Sequence, residues 1–423
     1  VSIRGQLSSK SSYALTTLPM SFRANRRLRK RMRILHVVTS LDPDAGGPAA
    51  VAVRLAAGHR LLGHEANLCC YQAPGKSAAI VASFRRVPGF DQIQQITMPP
   101  AGRIERILAS SARATLRRAI ADTDLVYLHG VWDPILKAAG DVSISLGKHY
   151  FVMPHGMLDP WSLNQKRFKK KLALLLGYRR VLDRATALHV LNSDEGDLIR
   201  PLHLSAPSVV IPNGIFEEEL TLPPDAQSFQ AFFPQLRDRP FILFLSRLHT
   251  KKGLDVLADA FAIVAKQHDQ VQLVVAGPNG DATADFDARI ARAGITHRVH
   301  RIGPIYGDTK LAAYRAATCF CLPSLQEGFS LAVTEALAVG LPVVITPGVH
   351  FPEVATAGAG EVVDRNADAV AASLLKIIRD PSLRQQMSDA GRRLISTQYT
   401  WRHIAQQTID AFNSIGKSRS NPG

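Results

Sequence analysis

Residues 318–346, TCFCLPSLQEGFSLAVTEALAVGLPVVIT, carry the pattern on which the reading of the whole chain turns. A short apolar run leads into Pro323-Ser324, a helical stretch starts near Ser330, and a second apolar run follows. Gly340 and Pro342 end the helical stretch in the usual order, a glycine cap and then a proline stop. Strand, loop, helix, strand is the repeat of an α/β sheet. The backbone amides at the start of such a helix have no intrahelical acceptor, so Gly328, Phe329, Ser330 and Leu331 form an expected cradle for a diphosphate. Glu327 stands just before the helix and Glu335 about one and a half turns inside it. Two carboxylates flanking an anion suit hydroxyl-rich groups on both of its sides. Glutamates at this spacing are common, and a solvated Glu335 is the plain alternative, but its neighbours Val333, Ala336 and Leu337 are apolar.

Outward from this stretch the same alternation repeats in both directions. Apolar runs at 34–39, 66–71, 93–98, 125–128, 149–153, 187–191 and 209–211 read as strands, with helical stretches such as 49–62, 103–121 and 166–184 between them. Residues 212–238 lose periodicity and gather Pro212, Pro223, Pro224 and Pro234, which marks a domain linker. The alternation then restarts with strands at 241–246, 271–276, 298–302, 318–322 and 343–346. Two doubly wound parallel-sheet domains facing a cleft are expected, with ligands beyond the carboxyl ends of the strands. The expected division is 1–31 a disordered basic extension, 32–212 an acceptor-side domain, 213–238 a linker, 239–398 a nucleotide-binding domain, and 399–423 a helix crossing back to the first domain, then a tail.

Composition narrows the function classes. The 423 residues suffice for two cores, and no apolar run is long enough for a spanning helix. The beginning of the chain lacks the apolar core of a secretory signal. Cys69, Cys70, Cys319 and Cys321 lie in apolar strand-like runs without zinc-like spacing, so buried free thiols in a reducing cytoplasm are expected. The net charge is +16, and residues 1–31 hold eight cations and no carboxylate. That segment reads as disordered, with translation expected to start at Met32. No nucleic-acid recognition motif accompanies the charge, so nucleic acid is not an expected partner.

Three further elements point to the same chemistry. After the strand at 241–246 come Arg247, Lys251 and Lys252-Gly253, and a diphosphate needs cations at a strand's carboxyl end. Gly46-Gly47-Pro48 opens the first helix and admits a ligand close to the backbone. His155-Gly156 follows the strand at 149–153, although a lone histidine is more often structural. Asp42-Pro43-Asp44 formally matches an Asp-x-Asp metal motif, but it precedes the glycine loop and is read as accidental, with no metal expected.

In order along the chain, Gly46-Gly47-Pro48, His155-Gly156, Ile211-Pro212-Asn213-Gly214, Ser246-Arg247-Leu248 with Lys252-Gly253, and Glu327 with Glu335 resemble the retaining GT4 glycosyltransferases of GT-B fold. The stretch 155–162, HGMLDPWS, is similar to members that build bacterial surface polysaccharides. The resemblance implies a UDP- or GDP-sugar donor as co-substrate, no cofactor, and a glycan or lipid-linked acceptor. It implies that Arg247 and Lys252 neutralise the diphosphate, Glu327 contacts the donor sugar, Glu335 holds the ribose, and His155 shields the oxocarbenium-like centre. Ser330 replaces a glycine common in that family. Two rivals share the plan, a sugar-nucleotide epimerase or hydrolase and a catalytically silent assembly subunit. Acceptor-dependent nucleotide release separates them.

The stretch 166–184 sets Phe168, Leu172, Leu175, Leu176 and Leu182 at helical spacing amid Lys166, Arg167, Lys169, Lys170, Lys171, Arg179, Arg180 and Arg184, with Arg106, Arg113 and Arg117 as a second stripe. Either the apolar face packs on the sheet, or the basic surface holds a cytoplasmic enzyme peripherally on the anionic inner membrane leaflet, salt-sensitively and without insertion.

Overall fold

The computed structural model describes residues 31–42, 47–102, 105–221, 228–237 and 239–420. The extension before Arg31, Asp44 and Gly46 lie outside the described residues.

Seven strands form the first sheet: β1 (Arg33–Val37), β2 (Glu65–Tyr71), β3 (Gln95–Met98), β4 (Leu125–His129), β5 (His149–Met153), β6 (Ala187–Val190) and β7 (Ser208–Val210). Six form the second: β8 (Phe241–Leu245), β9 (Gln272–Ala276), β10 (Val299–Gly303), β11 (Cys319–Leu322), β12 (Val343–Ile345) and β13 (Gly360–Val362). The orders are β3-β2-β1-β4-β5-β6-β7 and β10-β9-β8-β11-β12-β13. Every ladder is parallel; Ile34, for example, pairs with Ala66 on one side and Leu125 on the other. Each sheet therefore runs outward in both directions from its first strand, the doubly wound Rossmann order. Its switch points lie between β1 and β4 and between β8 and β11. Helices cover both faces, which is why β8 and β11 read as uninterrupted apolar runs. The architecture is GT-B: two Rossmann-like domains joined in one chain.

The second lobe has one core, and the first has a core on each face of its sheet. Ile215, Leu220, Phe229 and Leu236, from the stretch read as a linker, are buried in the second core. Helix Trp401–Ser420 returns to the first lobe, where Trp401, Ile404, Ala405 and Ile409 join its core against helix Gly47–Leu61.

Two expected helices are broken. The stretch 103–121 is helix Glu105–Leu108 and helix Ala112–Ala121. Ala109 turns at φ 47°, and the Glu105 carboxylate caps the second helix through the amides of Ser111 and Ala112, each 3.0 Å away. The stretch 166–184 is helix Arg167–Ala173, a wide turn Leu174–Tyr178 with Gly177 at φ 98°, and helix Arg179–Asp183. The turn rotates the apolar stripe: Val181 and Leu182 are buried, while Phe168, Leu172, Leu175 and Leu176 are exposed. No helix among the described residues is long and apolar enough to cross a membrane. The four cysteines are free and buried, and burial pushes the Cys69 thiol up to about 12.

Candidate functional site

The loops after β8 and β11 straddle the switch point of the second sheet. After β8 the chain turns through Thr250–Lys252 into Gly253, whose φ is 74°. A Cβ at Gly253 would lie 1.9 Å from the carbonyl of Pro323, so only glycine allows the two loops to meet. That contact brings Lys252 onto Glu327. Its Nζ donates to both carboxylate oxygens at 2.7 Å, and Ser324 Oγ donates to Oε1 at 2.8 Å. The Glu327 side chain is only 8% exposed, so the charge is enclosed and matched. Arg247 is exposed on the same loop and makes no ion pair among the described residues.

Ser330 caps helix Leu331–Ala338, its Oγ accepting from the Val333 amide at 3.4 Å. The amides before Val333 are those a helix leaves without internal partners. Inside the helix, Glu335 accepts from Lys310 Nζ at 2.7 Å and from the Tyr314 hydroxyl at 3.1 Å. Both expected carboxylates are thus held by cations, on either side of the helix start.

From the first lobe, His155 follows β5 in the left-handed region at φ 53°. The turn is held by Glu195, which accepts from the amides of Gly156 (2.6 Å) and Leu191 (2.7 Å). Burial raises the Glu195 carboxyl, with those two amides opposing the shift. His155 is half-buried as a residue, but its Nε2 is enclosed and has no hydrogen-bond partner among the described residues. Burial lowers the ring to about 3, so it is neutral at pH 7. The His129 ring, at the end of β4, lies 5.9 Å away and nearly parallel. Gly47 is exposed at the start of its helix, and an added Cβ there would meet no described residue beyond its own turn within 4 Å.

The lobes touch around this cleft. Asn192 donates to the Gly328 carbonyl, His350 meets Asp194, and Arg86 pairs with Asp308 at 2.7 Å. Lys251 Nζ sits 4.1 Å from the centre of the Trp161 ring. Phe329 packs against the cores of both lobes.

Sequence reasoning missed Ser324, Lys310, Tyr314, Asn192, Glu195 and His129. Asn192 and Glu195 had a signal, an Asn-x-x-Glu capping pattern at the start of helix Ser193–Ile199. Asp42 lies 3.9 Å from Lys76, and no described group of three His, Cys, Asp or Glu could hold a metal ion. A depression of about 1200 Å³ lies among Arg315, Arg384, Arg392 and Arg393, lined by none of the expected site residues. Arg315, Arg384 and Arg392 bond backbone carbonyls there, which marks them as structural.

Comparison with known proteins finds matches to both lobes. Residues 46–214 match the glycosyl transferase 4-like domain, and residues 227–394 match the glycosyl transferases group 1 family. The chain is 26% identical to the phosphatidyl-myo-inositol mannosyltransferase of Mycobacterium leprae, over 89% of this chain and 95% of that one. It is 28% identical to the glycosyltransferase MJ1607 of Methanocaldococcus jannaschii, over 41% of this chain but only 45% of that protein. The fold superimposes on Anabaena Alr3699/HepE, solved in complex with UDP, with a TM-score of 0.70 at 18% identity, covering 90% of this chain and 100% of that one. With both of its lobes matched in this way, the chain is a glycosyltransferase of GT-B fold, related to the group 1 and 4-like glycosyl transferase families.

Proposed function

We propose that the protein moves a sugar, with retention of configuration and without a metal ion, from a UDP- or GDP-sugar to a glycan or lipid-linked acceptor during the building of a surface polysaccharide. The observation that carries this reading is the Lys252–Glu327 pair at the mouth of helix Leu331–Ala338, with the exposed Arg247 on the same loop. A diphosphate there meets two cations and a helix start, which supply the charge that a divalent ion would otherwise bring. Glu335 takes the ribose hydroxyls on one side of the anion, and Glu327 takes the sugar on the other. The bond between the anomeric carbon and the diphosphate oxygen breaks while the acceptor oxygen bonds to that carbon on the same face. The acceptor's proton passes to the departing phosphate oxygen, and the nucleoside diphosphate leaves. Neutral His155 suits a place beside this centre, because an imidazolium would oppose the positive charge that develops there.

A lipid-linked acceptor agrees with the name of the M. leprae relative and with the surface of the first lobe. Phe168 (87% exposed) and Leu175 (84%) stand out from it with Trp161, Leu172 and Leu176. Lys166, Arg167, Lys169 and Lys171 surround them, exposed and without ion pairs among the described residues. In this reading the enzyme works on the cytoplasmic face of the membrane. The cations meet anionic lipid, and the apolar side chains enter the interface rather than staying outside it. The test is nucleotide release from UDP- and GDP-sugars with and without acceptor lipid. Release that ignores the acceptor would point to a hydrolase, and conversion of the sugar without release to an epimerase.

A further inference from the structure

A row of hydrogen-bonded side chains crosses the first lobe from the C-terminal helix to the cleft. Thr408 Oγ1 meets His59 Nε2 at 2.7 Å, His59 Nδ1 meets His36 Nε2 at 3.1 Å, and His36 Nδ1 meets His129 Nε2 at 2.9 Å. The four residues come from helix Trp401–Ser420, helix Gly47–Leu61, β1 and β4, and none is more than 1% exposed. Burial holds all three rings well below the usual histidine range, with neighbouring histidines adding to the effect, so each is neutral and carries one N–H.

A row of neutral rings has a direction. The Thr408 hydroxyl donates to the Ala405 carbonyl at 2.7 Å, so it accepts from His59 Nε2–H. His59 Nδ1 is then an acceptor, His36 donates to it from Nε2, and His36 Nδ1 accepts from His129 Nε2–H. The last nitrogen, His129 Nδ1, is a bare lone pair, and it is the atom of that ring with no partner among the described residues. The reverse polarity would end the row on a buried, unpaired N–H, which costs more than an unused lone pair. Close to it, 5.9 Å between ring centres, is His155, whose enclosed Nε2 also has no partner. Both residues stand at or just beyond the carboxyl ends of neighbouring strands, on the cleft side.

We infer that the row fixes His129 as a pure acceptor, and that His129 Nδ1 and His155 Nε2 together bind one hydroxyl of the donor's sugar. A hydroxyl is the group that satisfies both, since it donates to one nitrogen and accepts from the other. His129 is then a binding residue, and His36, His59 and Thr408 are positioning residues that act through it. The ligand assignment rests on the reading of the cleft as a sugar-nucleotide site.

The test uses the full chain. With ¹⁵N-labelled histidine near pH 7.5, His36, His59 and His129 should each carry the proton on Nε2, and Thr408→Val should disturb His59 and His129. A proton on His129 Nδ1 overturns the polarity. UDP, GDP, UDP-glucose and GDP-mannose serve as binding probes. His129→Phe should leave the nucleoside diphosphates unaffected and weaken the preferred sugar nucleotide about tenfold, the worth of one hydrogen bond. His129→Asn, whose amide oxygen can accept, should recover part of that loss. Thr408→Val, remote from the cleft, should weaken the same probe less, in the same direction. Equal affinities across wild type and these variants overturn the inference. If the wild type itself binds no sugar nucleotide, the donor reading fails and the hydroxyl assignment goes with it, before any variant is compared.

Discussion

Acidification should unfold the first lobe well above the range where carboxylates titrate. His36, His59, His129 and His189 are buried there and His155 is enclosed at its Nε2, and burial is the largest cause of the downward shift in each. The folded values are about 3 for His59 and His155 and about 4 for His189, with His36 and His129 also held well below 6.5. Unfolded, each ring titrates near 6.5. Below that pH the unfolded chain binds protons that the native chain refuses, so stability rises with pH through this window. The contribution is whole above about pH 7.5 and is lost as the pH falls through 6.5, until the folded values near 3 to 4 are reached. Between pH 7.5 and 5.5 each ring forfeits about 1.4 kcal/mol, and the five together about 7 kcal/mol. That is comparable with the whole stability of a typical domain, about 5–15 kcal/mol. Urea unfolding followed by tryptophan fluorescence reads it directly, since Trp132 and Trp161 both belong to the first lobe. The slope of unfolding free energy against pH near 5.5 should correspond to about four to five protons, and His189→Gln should remove one. A slope near zero, or one that appears only below pH 4.5, would refute the enclosure of these rings.

The remaining predictions concern the cleft and the surface. Arg247→Ala and Glu327→Ala should abolish transfer with the fold intact by circular dichroism, and full activity in either removes that residue from the site. Glu335→Ala should weaken donor binding by about 1–3 kcal/mol in calorimetry, the cost of a lost charged hydrogen bond. Transfer should survive excess EDTA; complete loss restored by Mn²⁺ or Mg²⁺ would overturn the cationic cradle. Phe168→Ser with Leu175→Ser should reduce co-sedimentation with anionic vesicles while leaving transfer to a water-soluble acceptor unchanged, and undiminished binding would leave attachment to the cations alone.

The fold was legible because parallel strands covered on both faces must be apolar throughout, and runs such as 241–245 and 319–322 declare themselves. The helix over 331–338 was legible for the same local reason, with its Ser330 cap and Gly340 stop. Broken helices were harder to read. Nothing in periodicity tells that Glu105 will cap a helix beginning at Ala112, or that Gly177 will turn the stripe at 172–176 outward. Lys310 and Tyr314 belong to the helix that precedes β11 and Glu335 to the one that follows it, so their contact is tertiary and no helical spacing announces it. The histidine row was invisible for a related reason. Each member lies in an apolar stretch where a single histidine reads as a satisfied core residue, and Thr408 is 349 positions from His59.

The pairing inside the cleft bears on what loss of Glu327 would mean. Lys252 is 17% exposed as a side chain and Glu327 8%, so each neutralises a charge that water no longer reaches. Removing one partner of such a pair leaves the other enclosed and unmatched, which costs more than the pair was worth. In Glu327→Ala, Lys252 is therefore left seeking an anion at the mouth of a helix that already favours one. A nucleoside diphosphate supplies that anion. Its affinity should be held or increased in the variant even as transfer disappears, whereas a variant that had merely lost its fold would lose both. Arg247 differs, because it is exposed and pairs with no carboxylate among the described residues. Arg247→Ala should weaken the diphosphate and transfer together. The two substitutions thus separate a residue that orients the reacting sugar from one that holds the leaving group. Equal loss of UDP or GDP affinity in both would show that Glu327 serves only to keep Lys252 in place.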